Sequence, residues 1–546
     1  MSHTAALQLL LCESFLYRHR TYHRLKHYTC CVPGSLLAGY DFSATSSLLS
    51  RISDFKGGTD DAQFQYFVAI ANSDGLTGLI AAGSSIGATT TFCFLLFFGN
   101  GVPKNDEILI SALTFFMGAL LESLSGGVPW ENKIGLIILI TGRLLYGAAM
   151  ALSFHSVPEY ISEISPKIGR GSIGCLTEAM LVIGVCLGFL LGYLTSSENG
   201  FIITFRVGCL IALLMAILAL YLPRSPQMLI SSGADDDEVL NSIQYTRPTA
   251  TMSAVTELKA TLVEAKLAKQ SWEKKVLSKL HSNGLTKIST KILLTFPTEV
   301  KVLLISRTLR RCLFLALLLV FLQQFSGQGA ILYYSGQIFG EICPESTSTC
   351  IITFGMVKLF FVLVMIFVAD SFGRRKFLII GSSIMTLGLI MLCFGLSYQQ
   401  YALALVGIYI SVAANEISLA TLLWVVLCEI FPQFVRSAAI SIAIATFFAW
   451  SSIVVFIMPY ISANMGLITV FITYTITAAI SVLLLSLYVP ETRGVDLEIS
   501  YKLVNGRLEK TSLCCTSKIT GDTIDLSTDS ECTEINPLII ASTGVV

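Results

Sequence analysis

Four ionisable side chains stand inside stretches of sequence that are otherwise apolar. Asp41 lies in LLAGYD and Arg143 in ITGRLLYG. A charge in hydrocarbon is expensive, so such residues mark a functional pathway by default. Asp41 and Arg143 are opposite in sign and form a candidate pair. Glu178 and Lys358, one in each half of the chain, form a second. Breaking such a pair strands a buried charge, at a cost of about 3–5 kcal/mol. Two adjacent amides, Gln323 and Gln324, offer donors and acceptors together, which suits a hydroxyl-rich solute. A glutamine pair in lipid is costly without such a polar partner. Trp424 adds a flat apolar face, a role it would share with packing or interface anchoring.

These side chains are positioned by helices in lipid. Hydrophobic residues make up 54% of the 546 residues and charged residues only 13%, which excludes an ordinary soluble globule. The 36 basic and 36 acidic residues cancel, which argues against nucleic acid as a partner. About 20 apolar residues cross a bilayer, and the charge-free runs yield twelve such spans. They fall at 31–50, 75–98, 107–126, 134–158, 172–195, 201–222, 312–336, 351–370, 376–397, 402–428, 437–461 and 466–489. Arg18, Arg20, Arg24 and Lys26 precede span 1, Lys167 and Arg170 follow span 4, and Arg374, Arg375 and Lys376 follow span 8. All fall on one side, which places both termini in the cytoplasm. AALQLLLC is too short for a cleavable leader and is followed by Glu13 and the basic cluster, so span 1 itself should direct insertion.

The chain is internally duplicated. EISPKIGR, from Glu163 to Arg170, returns as EIFPQFVR, from Glu429 to Arg436, and LPRSP after span 6 is answered by VPETR after span 12. Two related halves in so apolar a chain indicate a solute pathway between them. The expected organisation is a cytoplasmic segment 1–30, a six-helix bundle 31–222, a cytoplasmic loop 223–311, a second bundle 312–489 and a cytoplasmic tail 490–546.

Outside the membrane, Ala254 to Leu280 repeats apolar residues three and four apart, the pattern of an amphipathic helix, read either as a latch or as a solvated linker. His19, His23 and His27 share a helix face, but the interleaved cations fit a basic segment on anionic lipid better than a metal site. EINPLI, from Glu534, has the acid and paired aliphatics of an adaptor-read sorting signal. Most of the fifteen cysteines fall in spans, where soft apolar packing explains them; Cys343 and Cys350 share a non-cytoplasmic loop, where pairing and free thiols are both open. No phosphate-binding glycine loop, metal-ligand pair or nucleophile elbow is evident, so neither an enzyme nor a cofactor is expected.

GRLLYG at Gly142, PEYISEISPKIGRG at Pro158, QQFSGQGAILYYS at Gln323, DSFGRR at Asp370, EIFPQFVR and PETRG at Pro490 make the chain resemble a sugar porter of the major facilitator superfamily. It is most similar to the class III facilitative glucose transporters, which likewise carry an acid at Glu178 and a lysine at Lys358. The resemblance implies an all-α membrane protein of two pseudo-symmetric six-helix bundles that transports a hexose or related small polyol by alternating access. It assigns sugar binding to Gln323 and Gln324 and an outer gate to Tyr333 and Tyr334. It also implies a proton relay of Asp41 with Arg143, against which stands a static structural pair. Glu163, Arg170, Asp370, Arg374, Arg375, Glu429 and Arg436 fall at cytoplasmic span ends, where ion pairs of about 1 kcal/mol each would bias one access state.

The resemblance also fails in places. FFGNGVPKNDEI after span 2 lacks the family's acid and paired arginines, so a lopsided cytoplasmic lock is expected. Span 10, NEISLATLLWVV, keeps Glu416 and Trp424 but loses the family's glycine and proline positions, which predicts a straighter helix. Gly329, Ala330 and Ala449 stand where asparagines are usual, leaving fewer polar contacts for a sugar. A sugar-binding receptor with little flux, or a carrier of a non-sugar solute, are the alternatives.

Overall fold

The computed structural model describes residues 33–54, 65–98, 102–127, 132–164, 170–195, 200–246, 297–368 and 373–492, with positions 255, 256, 259, 260, 263 and 504. The histidine array, the sorting signal and most of the expected amphipathic helix lie outside the described residues. Lipid supplies no partner for a backbone N–H or C=O, so an apolar chain that crosses it must coil into helices. The crossing helices are α1 (Pro33–Asp54), α2 (Asp74–Phe98), α3 (Lys104–Gly127), α4 (Asn132–Ile164), α5 (Arg170–Leu194) and α6 (Gly200–Ala219) in the first half. The second half has α7 in three pieces (Arg307–Gln324, Gln328–Tyr333 and Ser335–Ile342), α8 (Thr347–Val368) and α9 (Arg374–Ser397). It continues with α10, in which Glu416–Ala420 interrupts Tyr401–Asn415 and Thr421–Ile430, then α11 (Gln433–Met465) and α12 (Leu467–Tyr488).

Ten of these are long and apolar enough to span a bilayer by composition alone among the described residues. The other two are α1, which is rich in serine and carries Asp41 and Arg51, and α7, which is broken into short pieces. Both departures coincide with chemistry. Phe94, Leu210, Phe360, Phe367 and Leu483 are exposed and turned outward, as a lipid-facing surface requires.

Within the first half α1 packs on α5, α2 on α4 and α3 on α4 and α6; within the second, α9 packs on α10 and α12 and α7 on α11. The halves meet along two seams, α2 on α11 and α5 on α8, with further contact between α1 and the broken part of α7. Between the halves, Ser225 accepts from Met228 N at 3.2 Å and Pro226 occupies the first turn, so Pro226–Ser232 starts cleanly after α6. It packs through Leu229 and Ile230 on Val239 and Ile243 of Asp236–Thr246.

Candidate functional site

Arg143 is fully buried in the first bundle, with its guanidinium held by polar groups of three other helices. Its Nη1 pairs with Asp41 of α1 and lies 3.4 Å from Glu122 Oε1 of α3. Its Nη2 donates to Ser84 Oγ at 3.0 Å and its Nε to the Ile80 carbonyl at 3.2 Å, both on α2. This close approach depends on Gly147, where a Cβ would sit 1.9 Å from the Ser84 carbonyl oxygen. One guanidinium thus serves two carboxylates from two other helices. Asp41 and Arg143 do meet; Glu122 completes the group although sequence reasoning passed over it. With the second oxygen of Glu122 unpartnered among the described residues, the cluster carries one more acid than base.

The second cluster corrects an expectation. Lys358 of α8 pairs with Glu416 of α10, in its own half, and not with Glu178. Glu178 of α5 instead lies beside the Trp424 indole, while both Lys358 and Glu416 remain near enough to act on it electrostatically. Distance in sequence says nothing about which of two acids a lysine will reach. Here α8 contacts α10 as well as α5, and the acid on α10 wins.

Glu416 also opens a π-helical turn, Glu416–Ala420, which overturns the straight α10 expected from its lost glycine and proline positions. The cause is local. Ser418 Oγ donates to the Ala414 carbonyl at 2.7 Å and Thr421 Oγ1 to the Glu416 carbonyl at 2.8 Å, so hydroxyls compete with the ordinary backbone ladder. Single π turns of this kind recur at functional positions.

The α7 break lies beside these groups. Gln323 and Gln324 end its first piece, half-buried and buried respectively. Gly327, at φ 82, turns the chain in a conformation that a side chain would disfavour. Gln328 then restarts the helix and donates to Ser411 Oγ of α10 at 2.9 Å, leaving its own carbonyl oxygen unpartnered among the described residues, as is that of Asn415. Neither amide was singled out in the sequence, yet Gln328 adjoins Gly329, one of the positions where the family's asparagine was missed. Tyr333 lies 3.3 Å from Ser85 Oγ of α2 and packs its ring 5.1 Å from that of Phe42. Tyr334 turns the other way and donates to the Val455 carbonyl within the second bundle at 2.9 Å.

The bundles touch at both ends. Towards the end of α1, Ser46 meets Ser335 of α7 at 2.6 Å, and midway along α2 Ser85 meets Ser451 of α11 at 3.2 Å. Towards the end of α4 and of α10, Phe154 packs on Trp424 and Phe448, and Phe92 stacks on Phe448. Beyond this aromatic plug, Ser437 at the start of α11 donates to Glu159 of α4.

Glu159 also accepts Lys104 at 2.8 Å, and Lys104 lies 3.1 Å from Glu107, whose other oxygen is 2.6 Å from His155 Nδ1. The lopsided lock expected from the α2–α3 loop is therefore corrected: Lys104, just after that loop, supplies a base in place of the missing arginines. In the second half Arg374 reaches Glu429 Oε1 at 3.1 Å, and Thr492 holds the other Glu429 oxygen at 2.5 Å. Arg375 donates to the Ser486 carbonyl and Arg436 to that of Phe431, so both cap backbone. Asp370 and the side chains of Glu163 and Arg170 lie outside the described residues. Cys343 and Cys350 are neighbouring free thiols.

Comparison with known proteins agrees with this architecture. The chain is 29% identical to the D-xylose-proton symporter-like 3 protein of Arabidopsis thaliana, over 85% of this chain and 79% of that one. It is 26% identical to the facilitated glucose transporter member 1 of Gallus gallus, over 87% and 92%. The inward-open xylose transporter XylE from E. coli has the same fold, with a TM-score of 0.66 at 21% identity, covering 88% of this chain and 99% of that one. The family model described as Sugar (and other) transporter matches residues 28–503. A multi-pass bundle of twelve helices, polar at its breaks and seams, with that match across most of its length, belongs to the Sugar (and other) transporter family.

Proposed function

We propose that the chain carries a hexose or related small polyol across the membrane by alternating access, coupled to protons through Asp41 and Arg143. The bundles 31–222 and 312–489 are the moving bodies, and the 223–311 loop and both tails are cytoplasmic. The observation that carries this reading is the place of Tyr333. It belongs to the broken helix of the second bundle and touches Ser85 of the first, the residue next to Ser84, which accepts from Arg143. A sugar on Gln323, Gln324 and Trp424, with Gln328 and Asn415 supplying further hydroxyl partners, would bias this gate and the Asp41–Arg143 pair together. Proton uptake neutralises Asp41, while Glu122 keeps Arg143 partnered. Relatives named as D-xylose-proton, arabinose-proton and glucose carriers support the substrate class and the coupling.

The test is radiolabelled hexose uptake and counterflow in proteoliposomes, with Gln323→Ala as control. Counterflow lost in Gln323→Ala supports the carrier; binding without counterflow rejects it. Under an imposed pH gradient, uphill accumulation should vanish in Asp41→Asn, and an unchanged pH dependence would remove the coupling role.

A further inference from the structure

We propose that Glu178 is a second proton-carrying group, and that Lys358, held by Glu416, is the charge on which its proton acts. The proposal rests on the transport reading above but uses a different seam, a different base and different helices from the Asp41 cluster.

The seam between α5 and α8 is apolar and closely packed. Ala179 and Val182 of α5 meet Val362 of α8, with Leu359 and Ile366 around them. One turn along, the half-buried Cys186 thiol donates to the Gly355 carbonyl at 3.1 Å. Glu178 adjoins Ala179, and Lys358 stands one turn before Val362, so the charged groups border an apolar strip that excludes water.

Counting charge then forces the issue. Glu178, Glu416 and Lys358 make two acids and one base in the interior of a bilayer, where an uncompensated charge is costly. Glu416 is wholly buried and already committed to Lys358, with its second oxygen unpartnered among the described residues. A proton removes the remaining charge, and Glu178 is the member positioned to exchange it, being half-buried, beside the Trp424 indole and, among the described residues, in no ion pair. Among the described residues, the charged groups acting on it are Lys358 of α8 and Glu416 of α10. On its other side α1 turns its nearest acid, Asp41, towards Arg143.

The step is a simple transfer. The Glu178 carboxylate takes a proton from water on one side, forming one O–H bond, and gives it to water on the other. With the proton on, α5 carries no charge towards α8 and Lys358 stays with Glu416. With it off, Glu178 draws Lys358 across the seam and holds the two bundles together there. Because the Trp424 indole lies beside the same carboxylate, a sugar seated on the indole and this proton influence one another.

Purified full-length protein in proteoliposomes, with radiolabelled D-glucose and D-xylose, provides the test. Proton-to-sugar stoichiometry from reversal potentials should fall by one proton in Glu178→Gln, which keeps the size and a polar carbonyl. An independent readout is the infrared carbonyl band of protonated carboxyl groups, followed against pH, which should lose one group's intensity in the same variant. An unchanged band overturns the proposal whether or not sugar moves. A diminished band with unchanged stoichiometry overturns the coupling. If Asp41→Asn alone leaves the stoichiometry intact while Glu178→Gln lowers it, the Asp41 reading fails and this one stands.

Discussion

Ser437 of α11 donates a hydrogen bond to Glu159 of α4, a link from one bundle to the other beyond the aromatic plug. Glu159 has Lys104 as well, so the hydroxyl adds contact between the halves without being needed to satisfy the acid. Replacing Ser437 by alanine should therefore loosen this end and leave the fold intact. A hydrogen bond to a charged group contributes about 1.5–3 kcal/mol, enough to shift an access equilibrium roughly tenfold or more. A cysteine introduced at Ser441, which lines the small cavity beside His155 and Ser437, should label correspondingly faster. An unchanged labelling rate would show that the bond does not hold this end shut.

Arg143 has two acids, and among the described residues each acid has only one arginine. Asp41→Asn and Glu122→Gln should each fold with small changes in thermal midpoint. Arg143→Met strands two carboxylates and should lose about 3–5 kcal/mol of stability. Thermal unfolding in detergent measures the difference, and equal losses for all three would reject the asymmetry.

Lys358→Met should destabilise by a similar amount, about 3–5 kcal/mol, by stranding Glu416. Adding Glu416→Gln should recover most of that loss, whereas adding Glu178→Gln should recover less. The two double-mutant cycles identify the lysine's partner in solution. Equal recovery from both would mean that Lys358 divides itself between them.

Gln328→Ala is expected to raise the KM for sugar as Gln323→Ala does. Each removes about 1–2 kcal/mol of polar contact, or roughly five- to thirtyfold. Initial uptake rates across sugar concentration test this. A raised KM in Gln323→Ala alone would confine Gln328 to its bond with Ser411.

The twelve crossings were legible because length and absence of charge are local properties, and the observed helices overlay the expected spans. Glu122 was legible by the same rule that flagged Asp41, as an acid in an apolar run, and was missed because no familiar motif surrounds it. Lys104 was overlooked because its loop was read for what it lacked. The partner of Lys358 was not legible at all. It depends on which face of α8 meets α5 and which meets α10, and helical periodicity is silent on that choice. The π turn was hidden for a related reason: loss of glycine and proline argues for regularity, but Ser418 and Thr421 act on carbonyls through side-chain rotamers that sequence does not specify.

That irregular turn gives α10 slack. A helix with one surplus residue can pass the surplus along its length, and each residue passed swings the downstream side chains by roughly 100°. Trp424 lies downstream and Glu416 at the origin, so the indole can turn off its seat while the lysine's anchor stays put. A transporter that has given up glycine and proline as a hinge here has kept another joint, one made of register instead of flexibility.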